Sequence, residues 1–321
     1  MNDHSPARAH GTDPYLKRLR RRKLLVGVGI SLIAIIGIIA LVVGVGSIAR
    51  TNKDPRIPKR TVMEQWNGKD YQAVSASCDT SLEASPLDPF YLTFKGLASF
   101  YLGMAESDGE KRIALMDQAI FALRKALLDA KAPLRPEATY ILGKAYFHKG
   151  LDFYDESITT LLESIKLKYS AADTWEYLAL ASQGIGEYKQ SAGYFDQAMA
   201  AKPDSPELMI AAASVASQTG DSARAETLAL KALSATTDEY LAERSNFVLG
   251  DIYRSSGRLT EALARYDAIK EKNPESADAW YYEGLVFQSA GDPIKARAAW
   301  RKAVSIDPMH TGARQKLSER S

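Results

Sequence analysis

The chain has 321 residues, of which 25% are charged and 46% are hydrophobic, and its formal net charge is +2. Residues 1–49 carry seven basic and two acidic residues, so the remainder, with 34 basic and 37 acidic residues, has a net charge of −3. This acidic remainder lacks the basic stripe with aromatic platforms that nucleic acid requires. The single cysteine, Cys78, excludes an internal disulfide framework, and we expect it to pack as a small apolar side chain.

The N-terminal region predicts a membrane anchor. Residues 1–23 form a polar tail that ends in a dense basic cluster, and residues 24–49 contain no charged side chain over 26 positions. With a rise of about 1.5 Å per residue, a helix of this length exceeds the roughly 30 Å hydrocarbon core of a bilayer. We therefore predict a transmembrane helix over residues 24–49. The alternatives are a cleaved signal peptide, for which the apolar stretch is long, and a buried helix of a soluble protein.

Basic residues at the two ends of the apolar segment predict its orientation. Six lie between Lys17 and Lys23, whereas the five between Arg50 and Arg60 are spread out and accompanied by Asp54. An excess of basic residues favours the cytoplasmic side. We expect a single-pass protein of the inner (cytoplasmic) membrane with a cytoplasmic N-terminus and a periplasmic or otherwise extracytoplasmic C-terminal domain.

A short linker at residues 50–59 is followed by a motif that returns every 34 residues. Its last two copies share Gly250 and Gly284, Ala262 and Ala296, and Pro274 and Pro308. Each glycine lies beside an apolar helical face, where it lets a second helix approach closely, and each proline prevents that second helix from continuing. Gly257 and Gly291 are expected to end the first helix in a left-handed conformation. The fixed period predicts stacked helical hairpins.

This motif resembles the tetratricopeptide repeat, which implies an all-α fold, a right-handed α-solenoid of stacked hairpins. Five copies are matched at residues 136–171, 172–205, 206–239, 243–276 and 277–310, and residues 60–135 are expected to hold degenerate copies. Two positions depart from the pattern, since Thr237 replaces a proline and Glu283 stands where leucine is usual. Residues 311–321 are expected to form a capping segment.

No catalytic or metal-binding constellation is found in the sequence. The histidines lie far apart and none has a second ligand at metal-binding spacing: His4, His10, His148 and His310. A phosphate-binding glycine loop and a recognised nucleophile motif are also missing. We therefore expect a protein that is not an enzyme and that needs neither cofactor nor metal, with His148 at a packing or surface position.

The resemblance implies that other proteins are the partners. In tetratricopeptide-repeat proteins the first helices of successive hairpins line a concave groove. Matching the register gives nine candidate groove residues: Tyr140, Lys144, Glu176, Leu180, Arg244, Phe247, Asp251, Arg254 and Tyr281. The aromatic side chains could anchor a helix or an extended segment, and the cations could meet an acidic partner. The same aromatic residues could instead cover seams between repeats.

Two functional hypotheses follow. The first is a membrane-anchored scaffold or adaptor that binds partner proteins in the cell envelope through the concave face. The second is a structural subunit of a larger envelope machine, such as a secretion or flagellar/motility apparatus, in which the outer faces pack against neighbours. An accessory factor in cell-wall metabolism is a third alternative.

Overall fold

The computed structural model describes residues 54–319, and from Ile57 onward they belong to one compact unit. The predicted tail, the predicted transmembrane helix and the first residues of the linker lie outside the described residues. Within the described range no strand is present, and none of its helices is both long and apolar enough to span a bilayer.

Fifteen α-helices of the described residues form seven successive hairpins and one terminal helix. In chain order they are α1 (Lys59–Asn67), α2 (Tyr71–Ala84), α3 (Pro89–Ala105), α4 (Gly109–Leu127), α5 (Arg135–Lys149), α6 (Tyr154–Lys166), α7 (Thr174–Gly184), α8 (Tyr188–Ala201), α9 (Pro206–Gln218), α10 (Ser222–Ala235), α11 (Glu239–Ser255), α12 (Leu259–Lys272), α13 (Ala277–Ser289), α14 (Pro293–Ile306) and α15 (Thr311–Ser318). Each odd-numbered helix from α1 to α13 packs against the next helix, and each hairpin packs against its neighbour in the chain. The described part is therefore the predicted all-α stack of helical hairpins.

The two helices of a hairpin meet at a small residue of the first helix. A methyl group added at Gly284 would lie 2.3 Å from Trp300 Nε1, and one added at Gly250 would lie 2.5 Å from Tyr266 Cζ. Both large side chains are buried. Because atoms cannot pack at such distances, the large side chain of the second helix requires glycine in the first.

Two other hairpins use alanine at this contact. Ala179 and Phe195 share one apolar cluster between α7 and α8, and Ala213 and Ala229 share another between α9 and α10. The buried Ser191 Oγ also donates a hydrogen bond to the Ala179 carbonyl at 2.8 Å. The first helix therefore keeps a small residue here, while the size of its partner varies.

A left-handed glycine ends the first helix of each of the last four hairpins. The φ angles of Gly186, Gly220, Gly257 and Gly291 are +82°, +83°, +77° and +75°. The conformation predicted for Gly257 and Gly291 is thereby confirmed. It is a region that side chains with a Cβ disfavour, so these turns need glycine.

The two departures from the repeat pattern have local explanations. The Glu283 carboxylate pairs with Lys270 Nζ at 2.8 Å, which neutralises a nearly buried charge between α12 and α13. At the other departure, α10 ends at Ala235 without a proline, and the Asp238 carboxylate accepts a hydrogen bond from the Leu241 N–H at the start of α11. Cys78 is fully buried, as expected, and burial raises the pKa of its thiol to about 12.

The hairpin contact makes a prediction about alanine substitutions. Gly284→Ala should lower the free energy of unfolding by about 1–3 kcal/mol, because the methyl group would displace the Trp300 ring. Gly193 is an exposed glycine in α8 with nothing within 4 Å of an added Cβ, and it serves as the matched control. Gly193→Ala should stabilise by up to about 1 kcal/mol through helix propensity. Urea unfolding of the fragment from Ile57 onward measures the free energy of unfolding of each variant. A stabilising effect of Gly284→Ala would show that the two helices do not meet at this position.

Candidate protein-binding surface

A cleft of about 380 Å³ lies across the first helices of three successive hairpins, α9, α11 and α13. Helix α9 contributes Ser214, Ser217 and Gln218; helix α11 contributes Arg244, Phe247, Val248, Asp251 and Ile252; helix α13 contributes Asp278 and Tyr282. Three of the nine residues expected in the groove, Arg244, Phe247 and Asp251, therefore line one cavity. We call this cavity the α9–α11–α13 cleft.

Aromatic rings form one wall of the cleft. The Phe247 and Tyr282 rings lie 5.5 Å apart, and Tyr266 of α12 stacks on Tyr282 with ring centres 5.7 Å apart and planes at 16°. Burial raises the pKa of Tyr282 and of Tyr266, so both hydroxyls stay neutral. Phe247 and Tyr282 are only partly buried, which leaves apolar surface open to a ligand.

The charges at the cleft differ in their partners. Asp251 is paired with Arg254 on the same helix, and Asp278 lies 3.0 Å from His310 Nε2. Arg244 is exposed, with its guanidinium 5.7 Å from the centre of the Tyr240 ring. Among the described residues no carboxylate lies within ion-pair distance of Arg244. Arg244 is therefore the cleft's cation that remains available to an incoming anion.

Arg254 and Tyr281 do not line the cleft. Arg254 is partly buried, pairs with Asp251, and has its Nε buried without a hydrogen-bond partner. Tyr281 packs against the His310 ring at 4.9 Å and lies against Gly312, so it joins α13 to α15. Both were candidates for the groove: the structure places Arg254 in an ion pair within α11, and it places Tyr281 at a seam, which was the alternative given for the aromatic candidates.

The candidates at the N-terminal end of the series also lie in contacts between hairpins. Tyr140 is 5% exposed, and its hydroxyl donates to Asp173 Oδ1, while Lys144 Nζ contacts Asp173 Oδ2 at 2.9 Å. Burial alone would raise the pKa of Asp173, but hydrogen bonds from Tyr140 and Lys144 offset it and hold that pKa below its usual range. These two residues join α5 to the start of α7, and their polar groups are already bound to Asp173.

The two candidates on α7 also make contacts within the stack. Glu176 pairs with Lys202 Nζ at 3.0 Å, and Leu180 packs, partly buried, against the cluster that contains Phe195.

The sequence analysis missed residues that line the cleft, among them Ser217, Gln218, Asp278 and Tyr282. Helical spacing was a signal for Asp278, which precedes the candidate Tyr281 by three residues, but it did not point to the other three.

His148 lies, partly buried, among aromatic side chains next to Lys144. Its Nε2 is 3.0 Å from the Tyr177 hydroxyl, and its ring contacts Phe100 and Phe147. Burial, assisted by the nearby cations Lys144 and Arg112, lowers the pKa of His148 to about 4. His148 therefore occupies a packing position, one of the two kinds of position expected for it. Within residues 54–319 no cluster of three or more His, Cys, Asp or Glu side chains is arranged to hold a metal ion.

Comparison with protein families gives a match over the last three hairpins. Residues 210–272 and residues 247–309 each match the family model described as tetratricopeptide repeat. Together these matches contain most of α9 and all of α10 to α14, so they include the helices that line the cleft. No curated protein gives a significant match to the chain.

Solved structures with the same arrangement of helices support the fold. The C-terminal part of a tetratricopeptide-repeat protein from Cytophaga hutchinsonii covers 82% of this chain and 100% of its own, at 14% identity and a TM-score of 0.56. A tetratricopeptide-repeat protein from Parabacteroides merdae covers 68% of this chain and 97% of its own, at 12% identity and a TM-score of 0.50. At these identities the likeness shows the fold alone.

The environment of His148 predicts a pH dependence of stability. Its pKa is 6.5 when unperturbed and about 4 in the folded protein, so the unfolded chain binds this proton first. The free energy of unfolding should therefore fall as the pH drops from about 6.5 to 4. His148→Gln should remove this component, so the difference between wild type and variant, from urea unfolding at several pH values, isolates it. A difference that stays constant over this range would contradict the assignment.

Proposed function

We propose that this chain is a tetratricopeptide-repeat scaffold that binds a segment of a partner protein in the α9–α11–α13 cleft. The observation that carries the proposal is the cleft's composition: an available guanidinium beside a partly open aromatic wall, spanning three successive hairpins. No cofactor enters this function.

The chemistry of the cleft favours a segment with two features. Arg244 suits a carboxylate, since a guanidinium binds carboxylates with two parallel hydrogen bonds. The partly buried Phe247 and Tyr282 suit an aromatic or branched aliphatic side chain, which would gain hydrophobic contact there. Asp251 is already paired with the Arg254 guanidinium, and the Asp278 carboxylate is already hydrogen-bonded to His310 Nε2, so both carboxylates have partners within the protein. We therefore infer an acidic segment that carries at least one bulky apolar residue.

We further propose that residues 24–49 anchor the scaffold in the inner membrane, with the repeats on the extracytoplasmic side. The uncharged segment and the basic cluster that precedes it support this placement. The protein would then hold its partner near the membrane, as an adaptor of the cell envelope.

Arg244 provides the test of the binding site. Peptides selected from a random display library on the wild-type repeats should be enriched in acidic and bulky apolar residues. Arg244→Glu should weaken their binding by about tenfold or more, which corresponds to about 1.4 kcal/mol. Fluorescence anisotropy titration measures the dissociation constants at low and moderate salt.

Arg301→Glu is the matched control for this test. Arg301 is exposed on α14 and lies outside the cleft lining, so the same change of charge should leave the affinity unchanged. Arg254→Glu is unsuitable, because it would place a second carboxylate beside Asp251 in a partly buried position. If Arg244→Glu and Arg301→Glu bind the selected peptides equally, the cleft is not the site and assembly through outer faces becomes the better hypothesis.

Protease accessibility tests the membrane placement. Protease added to the outside of spheroplasts should degrade the repeats while sparing the short N-terminal tail, because residues 24–49 would keep that tail inside. An epitope at each end of the chain distinguishes the fragments by immunoblotting. Protection of the repeats until the spheroplasts are lysed would reverse the proposed orientation.

A further inference from the structure

An apolar stripe on α4 is left uncovered by the other described helices. Phe121 is 61% exposed and Leu128, the residue that caps α4, is 87% exposed. With Ile120, Arg124, Lys125 and Asp117 they line a shallow depression of about 540 Å³. Large apolar side chains that cluster on a surface mark a site of contact with something else. We call Ile120, Phe121, Arg124, Lys125 and Leu128 the α4 stripe.

The sequence around the α4 stripe is basic. Residues 111–135 contain six basic and two acidic residues, a net charge of +4, whereas residues 50–321 as a whole carry −3. Lys125 Nζ lies 4.1 Å from the centre of the Phe121 ring, so cation and ring share one surface. The Asp117 carboxylate forms an ion pair with Lys149, so its negative charge is already neutralised. The charge of the stripe is thus opposite to that of the rest of the repeat unit.

We propose that the α4 stripe lies on the surface of a bilayer that contains anionic phospholipids. Phe121 and Leu128 would enter the boundary between headgroups and acyl chains. Arg124 and Lys125 would keep their cationic ends at the phosphates while their aliphatic stems cover apolar surface. Basic side chains close to such a surface are attracted by its negative potential.

The length of the linker is compatible with this contact. Seven residues, 50–56, lie between the apolar segment and Ile57, which is hydrogen-bonded to Ser81 and Tyr91, and an extended chain of that length reaches about 24 Å. This step alone rests on the proposed anchor at residues 24–49. The composition and exposure of the α4 stripe do not depend on it. The contact would hold the repeat unit against the bilayer and so restrict the directions from which a partner can approach.

A single-cysteine label tests the proposal in the full chain. Native Cys78 is fully buried, so a reactive fluorophore can be directed to an introduced cysteine. Gln118→Cys places the label on an exposed position one turn before Phe121, and Ala298→Cys places it on an exposed position of α14. Each labelled chain is reconstituted into vesicles of phosphatidylcholine with or without phosphatidylglycerol, and quenching by acrylamide, a neutral quencher, is measured.

The proposal predicts protection at position 118 only with the anionic lipid. The label there should be quenched less in vesicles with phosphatidylglycerol than in neutral ones, and high salt should reduce the difference. The label at position 298 should be quenched equally in both. Phe121→Ser with Leu128→Ser should abolish the protection, whereas Ile294→Ser with Met309→Ser, which removes two apolar residues of similar exposure elsewhere, should not.

Two results would overturn the proposal. One is equal quenching at position 118 in the two kinds of vesicle. The other is protection that also develops in detergent without phospholipid and grows with protein concentration, since that would identify a second copy of the chain as the occupant. A chain that leaves neutral vesicles but stays protected on anionic ones would contradict the proposed anchor and support the α4 stripe.

Discussion

The close contact that the second helix of a hairpin makes at a small residue of the first is the constraint on which the rest of this structure depends. It sets the distance between the helices of each hairpin, and hence the position of the first helices side by side. Tyr266 connects this packing to the site, because its ring lies against Gly250 on one side and stacks on Tyr282 of the cleft on another. The residue that requires the glycine therefore also supports the wall of the cleft.

The first helices of the hairpins differ in whether their cationic side chains are paired within the protein. Toward the N-terminus, Lys144 is held by Asp173 from the next hairpin, and Tyr140 is bound to the same carboxylate. Toward the C-terminus, the Arg244 guanidinium lies over the Tyr240 ring, 5.7 Å from its centre, and stays exposed. A cation already paired within the protein must lose that partner before it can bind another, whereas Arg244 can bind an anion without such a loss. This difference supports placing the proposed binding site at α9, α11 and α13.

Much of the fold could be predicted from the sequence, because glycines and prolines at a fixed period constrain the backbone directly. The left-handed turns at Gly257 and Gly291 and the close approach at Gly250 follow from that period alone. The state of Tyr140 and Lys144 could not be predicted in this way. Register shows which face of its own helix a residue occupies. The carboxylate that binds Tyr140 and Lys144 belongs to Asp173, which lies about thirty positions later in a different hairpin. Two residues at equivalent positions of the repeat can therefore differ, one exposed and one paired within the stack, without any difference visible in the sequence.

Site-specific photo-crosslinking in living cells tests the central claim, that the α9–α11–α13 cleft holds a partner protein. A photoreactive phenylalanine analogue at position 247 should form a covalent adduct with another protein, and Arg244→Glu in the same chain should remove that adduct. The analogue at Leu230, an exposed apolar position on α10, should not form it. An adduct at position 230 with none at position 247 would contradict the account and place the partner on the outer faces of the hairpins.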